Sequence, residues 1–206
     1  MGNTVGSTNT DFCDLKLTKE VAYIIGLWCA DGYTRTSSLG FSNTNPDLIE
    51  RFSRFLLELF PRRRLRKDVY YPDNNKRRTT AYHVYVNCRS LVRLFIKFKR
   101  NPLDFIRGNL VSPYFGGRFD GDGCVGKDFY SDCRIVYGKE EEARNDLDLI
   151  RSLGFQRCKI YHYKAARTFC LYISRLETKQ FLALIYPYSS RLQKSVFVPR
   201  RDLISN

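Results

Sequence analysis

Apolar positions along the chain change period in the same order twice. Over roughly 19–31 they run through a segment that Thr18 can cap and that carries Glu20 in its first turn, which predicts a helix. From Tyr33 to Ser42 the pattern turns strand-like and predicts a short hairpin, whose outgoing strand places Tyr33, Arg35 and Ser37 on one face. A second helix runs from Asn45-Pro46 to Phe60, with Leu48, Ile49, Phe52, Phe55, Leu56 and Leu59 as its apolar face and Pro61 at its end. A basic strand then opens at Arg62, a polar turn spans 72–78, and a further strand covers 80–87. The third helix, Leu91 to Phe98, closes at Lys99-Arg100-Asn101-Pro102.

The order then repeats. Ser112-Pro113 offers a cap and a first-turn proline for another helix. Val125 to Asp128 with Cys133 to Tyr137 predict a hairpin, Lys139 to Leu153 a helix, Lys159 to Tyr163 and Phe169 to Ser174 two strands, and Leu176 to Ile185 a last helix. Each half reads helix, two strands, helix, two strands, helix. The fold class is α+β: two αββαββα repeats, each placing helices on one side of a four-stranded antiparallel sheet and leaving the other side open. The implied plan is a flexible arm at 1–16, repeats at 17–101 and 111–195, a link at 102–110 and a basic tail at 196–206.

The opening helix of each half carries a related phrase. The first is Ile24-Ile25-Gly26-Leu27-Trp28-Cys29-Ala30-Asp31-Gly32, and the second is Phe115-Gly116-Gly117-Arg118-Phe119-Asp120-Gly121-Asp122-Gly123. Residues four apart share a helical face, so Gly26 with Ala30, and Gly117 with Gly121, form stripes on which another helix backbone can lie closely. If the two helices pack together, Asp31 and Asp122 meet at their ends, and paired carboxylates hold a cation or share protons. Either phrase alone is equally readable as a glycine-rich buried helix. Their recurrence 91 residues apart, from 31 to 122 in a chain of 206, points to duplicated domains.

Charge then suggests the partner. Lys and Arg number 35 against 21 Asp and Glu, a formal net charge of +14 that favours a polyanion. With 43% hydrophobic residues, 14 Tyr and 15 Phe, the chain is a folded protein and not a basic disordered tail. Its seven cysteines form no CxxC pair, which suits free thiols in a reducing compartment. The first residues lack the basic and apolar regions of a secretory signal, and no apolar run reaches transmembrane length, so an intracellular protein with no membrane partner is expected. The basic run Arg62 to Lys67 is compatible with a solvated surface or a localisation signal; its aromatic neighbours and the second basic loop at Lys76, Arg77 and Arg78 favour nucleic acid.

The two phrases, their positions and the repeated element order resemble the LAGLIDADG homing endonucleases in their single-chain, two-motif form, over roughly residues 17–195. The resemblance implies a monomer that lays two saddle-shaped sheets on double-stranded DNA and cuts both strands across the minor groove, leaving short 3′ overhangs, in the service of intron homing. It maps the metal-binding acids onto Asp31 and Asp122, assisted by the carbonyls of Ala30 and Gly121, with Mg²⁺ as cofactor and Mn²⁺ as substitute. Asp120 is the other acid of the second phrase, and Cys29 stands in its place in the first. A surrounding shell falls on Asn43 in the first half and Lys139 in the second, with Lys99 and Lys194 as further lysines. Asn43-Thr44 lacks the lysine and Gly138-Lys139 lacks the amide, so the halves are chemically unequal.

DNA contacts are expected from Tyr33, Arg35, Ser37, Arg64, Arg66, Tyr70, Lys76, Arg77, Arg78 and Tyr82 in the first half. In the second they are expected from Lys127, Arg134, Lys159, Tyr161, Tyr163 and Arg167. The location implied is DNA of a nucleoid or an organelle. The inequality of the halves keeps open a decayed nuclease that only binds DNA, or a maturase that acts on intron RNA. Only His83 and His162 are present, and both read as sheet residues, which leaves histidine-based hydrolysis little support.

Overall fold

The computed structural model describes residues 15–71, 79–126 and 132–195. Helix α1 spans Lys19–Asp31, and the Thr18 hydroxyl accepts from the Val21 amide at 3.2 Å, one of the donors that a helix start leaves unpaired. Strands β1 (Gly32–Arg35) and β2 (Ser38–Asn43) follow, then α2 (Pro46–Leu59), β3 (Arg66–Tyr70), β4 (Ala81–Asn87) and α3 (Arg89–Arg100). The 102–110 link holds the short helix α4 (Pro102–Phe105) and a 3₁₀ turn, Gly108–Leu110. The second repeat consists of α5 (Val111–Asp122), β5 (Gly123–Val125), β6 (Cys133–Tyr137), α6 (Glu140–Ser152), β7 (Cys158–Tyr163), β8 (Thr168–Ile173) and α7 (Arg175–Ile185), followed by α8 (Ser190–Gln193).

Each repeat builds one antiparallel four-stranded sheet, ordered β1-β2-β4-β3 in the first and β5-β6-β8-β7 in the second. The shared order is the structural form of the repeat that the hydrophobic pattern wrote twice. Alternation gives each sheet a covered and an open side. Leu39, Phe41, Val84 and Val86 pack under the helices in the first repeat, as do Cys133, Ile135, Leu171 and Ile173 in the second. In the first repeat Trp28 joins motif helix, sheet and α3: its indole N–H donates to the Gly40 carbonyl at 3.0 Å, and its ring meets Phe95 edge-on. No helix among the described residues is long and apolar enough to cross a membrane.

Several local expectations are corrected. Arg62–Arg64 is a single 3₁₀ turn and not the start of a strand; the Arg64 amide bonds back to Pro61 and that of Leu65 to Arg62. Ser112 does not cap α5. The 3₁₀ turn Gly108–Leu110 runs straight into the helix, which opens at Val111 and leaves Ser112 and Pro113 inside its first turn. Strand β5 starts at Gly123, directly after the motif, two residues earlier than the expected Val125. Ser37 lies in the turn beyond β1 and so shares no strand face with Tyr33 and Arg35; its carbonyl accepts from the Cys88 amide at 2.8 Å.

Candidate functional site

The site is built by the contact between α1 and α5. A Cβ on Gly26 would stand 1.9 Å from the Tyr114 carbonyl oxygen, and one on Gly117 would stand 2.0 Å from that of Tyr23. One on Gly121 would stand 2.4 Å from the Ala30 Cβ. Those separations lie inside van der Waals contact, so the helix backbones touch where side chains are missing. Both helices end on an acid, Asp31 and Asp122, and the crossing brings these ends together: the Cβ position of Gly121 is 3.2 Å from Asp31 Oδ2.

The two acids have different surroundings. Asn43, at the end of β2, donates from Nδ2 to Asp31 Oδ2 at 2.7 Å, and its Oδ1 accepts from the Asn45 amide at 2.7 Å, which fixes which end of the amide faces the acid. Burial raises the Asp31 pKa, while the Asn43 hydrogen bond and the charges of Arg118 and Lys99 pull it back. Burial pushes Asp122 up to about 6; Arg118 opposes the rise and the negative charge of Asp31 adds to it. The acids therefore share one electrostatic environment. Asp122 has no counterpart of Asn43, because the corresponding residue is Gly138, whose Cβ position faces open space.

Lys99, in the last turn of α3, reaches over the crossing. Its ammonium donates to the Cys29 carbonyl at 3.0 Å and pairs with Glu142 of the other repeat at 3.4 Å. Lys139 lines the same open pocket of about 370 Å³, with Trp28, Tyr33, Glu141 and Glu142. Lys194 instead pairs with Asp47 at the start of α2. The four lysine and amide positions expected around the acids are thus dispersed. Asn43 touches one acid, Lys99 lies beside the helix that carries it, Lys139 lines the adjoining pocket, and Lys194 is held on an exposed edge by a carboxylate.

Two buried polar groups were not anticipated. Arg118 stands in the middle of the second motif helix, fully buried, and donates from Nε to Asp146 Oδ2 at 3.0 Å. Asp146 also accepts from the Tyr114 and Tyr137 hydroxyls, both at 2.8 Å. The Arg118 Nη1 lacks a hydrogen-bond acceptor and lies 3.9 Å from Asp122 Oδ2. A charged donor thus sits directly behind the acid. The only sequence signal for it was a lone basic residue inside a phrase of phenylalanine, glycine and aspartate. Asp120 is occupied: it accepts from the Tyr23 and Ser189 hydroxyls and from the amides of Ser190 and Arg191, tying α8 to α5. Cys29, its counterpart in α1, is buried and its thiol is pushed up to about 12, so it stays neutral.

The open sheet faces carry most of the expected contact residues. Register puts Tyr33 and Arg35 of β1 with Arg66 and Tyr70 of β3 on the first face, beside Ser38, Asp68, His83, Tyr85 and Asn87. These surround an open trough of about 840 Å³ that also touches Thr34 and Val69. The second face carries Arg134 of β6 with Lys159, Tyr161 and Tyr163 of β7. Tyr82 pairs with Asn43 and Val69 and packs against the core on the helix side, so it lies off the face on which it was expected. Arg64 is engaged within the first repeat, donating to the Asn87 carbonyl at 2.7 Å and stacking over Phe60. Arg167 is exposed in the β7–β8 turn with φ +52°. Lys76, Arg77, Arg78 and Lys127 lie outside the described residues.

Among the described residues no group of three or more His, Cys, Asp and Glu side chains gathers to hold a metal ion. The available donors are two neighbouring carboxylates, Asp31 and Asp122. That set fits a hard cation such as Mg²⁺, which takes one or two carboxylates and completes its shell with water and phosphate oxygens. The neutral, buried Cys29 thiol offers no competing soft ligand.

Residues 18–98 match the sequence model of the LAGLIDADG-like domain. The whole fold is similar to solved homing endonucleases. I-DmoI in complex with DNA and manganese superposes with a TM-score of 0.60 at 17% identity, over 84% of this chain and 97% of that one. I-WcaI bound to its DNA recognition sequence superposes with a TM-score of 0.61 at 16% identity, over 95% and 96%. The full-length DUF199/WhiA protein from Thermatoga maritima gives 0.57 at 15% identity, and the similarity spans 94% of this chain but 61% of that one. No curated protein matches by sequence.

Proposed function

From the premise that the chain has a LAGLIDADG-like domain and the homing-endonuclease fold, we propose that it is a site-specific, metal-dependent DNA endonuclease. The observation that carries this reading is the delivery of Asp31 and Asp122 to one point by a helix crossing that tolerates no side chain. The acids lie at the junction of two open sheets. In this reading Asp31 and Asp122 hold Mg²⁺, or Mn²⁺ in its place, with the Ala30 and Gly121 carbonyls nearby; when bound, the cation supplies charge for an attacking water and a leaving 3′ oxygen.

The remaining roles belong to the chain. Asn43 orients the Asp31 carboxylate through its 2.7 Å hydrogen bond. Lys99 holds a positive charge over the crossing, where negative charge on phosphate grows during cleavage. Arg118 keeps a cation behind Asp122. Arg35, Arg66, Arg134 and Lys159 on the sheets, with Lys139, Arg167 and Lys194 at the edges, supply contacts to the duplex, some to phosphates and some to bases. The protein acts as a monomer, because both acids come from one chain, and works where DNA is, in a nucleoid or an organelle.

The direct test is a cleavage assay on duplexes recovered from a randomised pool by binding. The reading expects double-strand breaks with short 3′ overhangs in Mg²⁺ or Mn²⁺ and none in EDTA. Binding without breaks in either metal rejects it. That outcome would favour a second reading, a DNA-binding protein or intron RNA maturase of the same fold, which the missing amide at Gly138 supports.

A further inference from the structure

Helix α3 separates its apolar and charged positions completely. Leu91, Val92, Phe95 and Phe98 turn into the core, while Arg89, Arg93, Lys97 and Arg100 are exposed on the opposite side, within roughly a quarter turn of one another. The helix contains no acid. None of the four cations forms an ion pair among the described residues. Arg89 with Arg93, and Arg93 with Lys97, are instead like charges four residues apart, a spacing at which they destabilise a helix. A polyanion laid along this face relieves that repulsion.

The basic surface continues beyond the helix. Arg64 donates to the Asn87 carbonyl at 2.7 Å, which sets the Arg62–Arg64 turn beside the start of α3 with Arg62 and Arg63 exposed. The last long helix of the second repeat, α7, has no such stripe. It exposes Leu176, at 72%, and neutral Gln180, and its Glu177 accepts from the amides of Gln156 and Arg157. The fold therefore does not demand the row of cations on α3.

Helix α3 packs on the covered side of the first sheet, where Phe95 meets Trp28, so its outer face points away from the open side. A straight duplex seated on the open faces does not reach it. Cations four residues apart stand about 6 Å apart along a helix axis, close to the spacing of successive phosphates on one strand. The helix exposes no aromatic ring on which an unpaired base could stack, so the face suits the backbone of a duplex and not a single strand.

Resting on the nucleic-acid reading above, we propose that the outer face of α3 is a second duplex-DNA site, which holds a neighbouring DNA segment while the sheets hold the target. Contact through phosphates gives this site affinity without sequence preference. DNA is the occupant because a target is part of a longer DNA, whose other segments surround the bound protein at high effective concentration. Two sites let the protein pass from one segment to another without first dissolving into solvent.

The experiment uses the full chain in EDTA, so that binding is read without cleavage. Protein is bound to an immobilised duplex recovered from a randomised pool, and a fluorescent duplex of unrelated sequence is then added. The parent is expected to capture it, with affinity falling on the order of 100-fold between ~50 and ~200 mM salt, as four phosphate contacts require. Arg89→Gln, Arg93→Gln and Lys97→Gln combined are expected to weaken capture by about tenfold or more. Binding of the same variant to the immobilised duplex is expected to stay unchanged, which also shows that it is folded. A parent that captures no second duplex, capture that survives the triple variant, preference for an RNA hairpin over DNA, or release of the immobilised duplex by the variant would each overturn the proposal. Those outcomes leave the nucleic-acid reading standing. Failure of the parent to bind any duplex overturns both.

Discussion

Lys99 of the first repeat pairs with Glu142 of the second, and Lys194 of the second repeat pairs with Asp47 of the first. The two lysines are 95 residues apart, from 99 to 194, and so are the two acids, from 47 to 142. The pairs are therefore equivalent under the pseudo-twofold relation, each linking the end of one repeat to the first turn of the middle helix of the other. Their exposures are unequal: the Lys99 and Glu142 side chains are 29% and 17% exposed, against 62% and 58% for Lys194 and Asp47. Solvent screens the second pair more strongly.

That inequality predicts unequal consequences. Lys99→Met is expected to slow cleavage by ~10–100-fold, the usual cost of removing a supporting group at a metal site, with binding retained. Lys194→Met should cost less. Strand-resolved nicking on a plasmid carrying the recovered target checks this, and a larger loss from Lys194→Met would contradict the assignment.

The crossing itself is a stability prediction. Gly117→Ala drives a methyl into the Tyr23 carbonyl and should destabilise the fold by ~1–3 kcal/mol or more, as overpacking does. Gly138→Ala meets nothing within 4 Å and serves as the control, expected within about 0.5 kcal/mol of the parent. Urea denaturation of both variants distinguishes them.

Asp122 makes stability depend on pH with an unusual sign. Its folded pKa of about 6 exceeds the ordinary 3.8, so between these values the folded state binds more protons than the unfolded one. Its contribution is present below pH ~4 and is lost as pH rises through about 6. Asp122→Asn should therefore stabilise the protein at pH 7 by ~1–2 kcal/mol, allowing for the partly solvated position of the group. The gain should shrink as the pH falls to 4, the lower end of the shift. Thermal unfolding from pH 4 to 7 measures it; a gain that grows toward low pH would contradict the account.

Asp146 gathers Arg118, Tyr114 and Tyr137 in the interior. Removing its charge strands a buried guanidinium whose Nη1 already lacks an acceptor. Asp146→Ala is expected to cost ~3–5 kcal/mol, seen as loss of the folded baseline in denaturation. Loss of less than ~1 kcal/mol would show that the arginine finds water or another partner.

What could be read from the chain, and what could not, divides along locality. Thr18, Pro46 and the apolar spacing of α2 mark helix ends within a few residues, because capping and periodicity are local signals. The Gly26, Ala30, Gly117 and Gly121 stripes are legible for the same reason, and so is the alternation that puts Lys159, Tyr161 and Tyr163 on one face. The basic run at Arg62 has no period of its own, and it folds as a 3₁₀ turn directly after Pro61, whose carbonyl accepts from the Arg64 amide. Tyr82 resembled a reader because tyrosine suits either side of a strand; only pairing with Asn43 shows its side. Arg118 with Asp146, and Lys99 with Glu142, join residues far apart in sequence, and no local pattern announces such pairs.

The central claim is that Asp31 and Asp122 form one metal-dependent cleavage centre at the helix crossing. The most direct test places Asp31→Asn and Asp122→Asn separately in the full chain and measures both target binding and Mg²⁺-dependent cleavage of each strand. The account predicts that double-strand cleavage disappears in both variants while binding persists. Cleavage of both strands at the parent rate in either variant would contradict it.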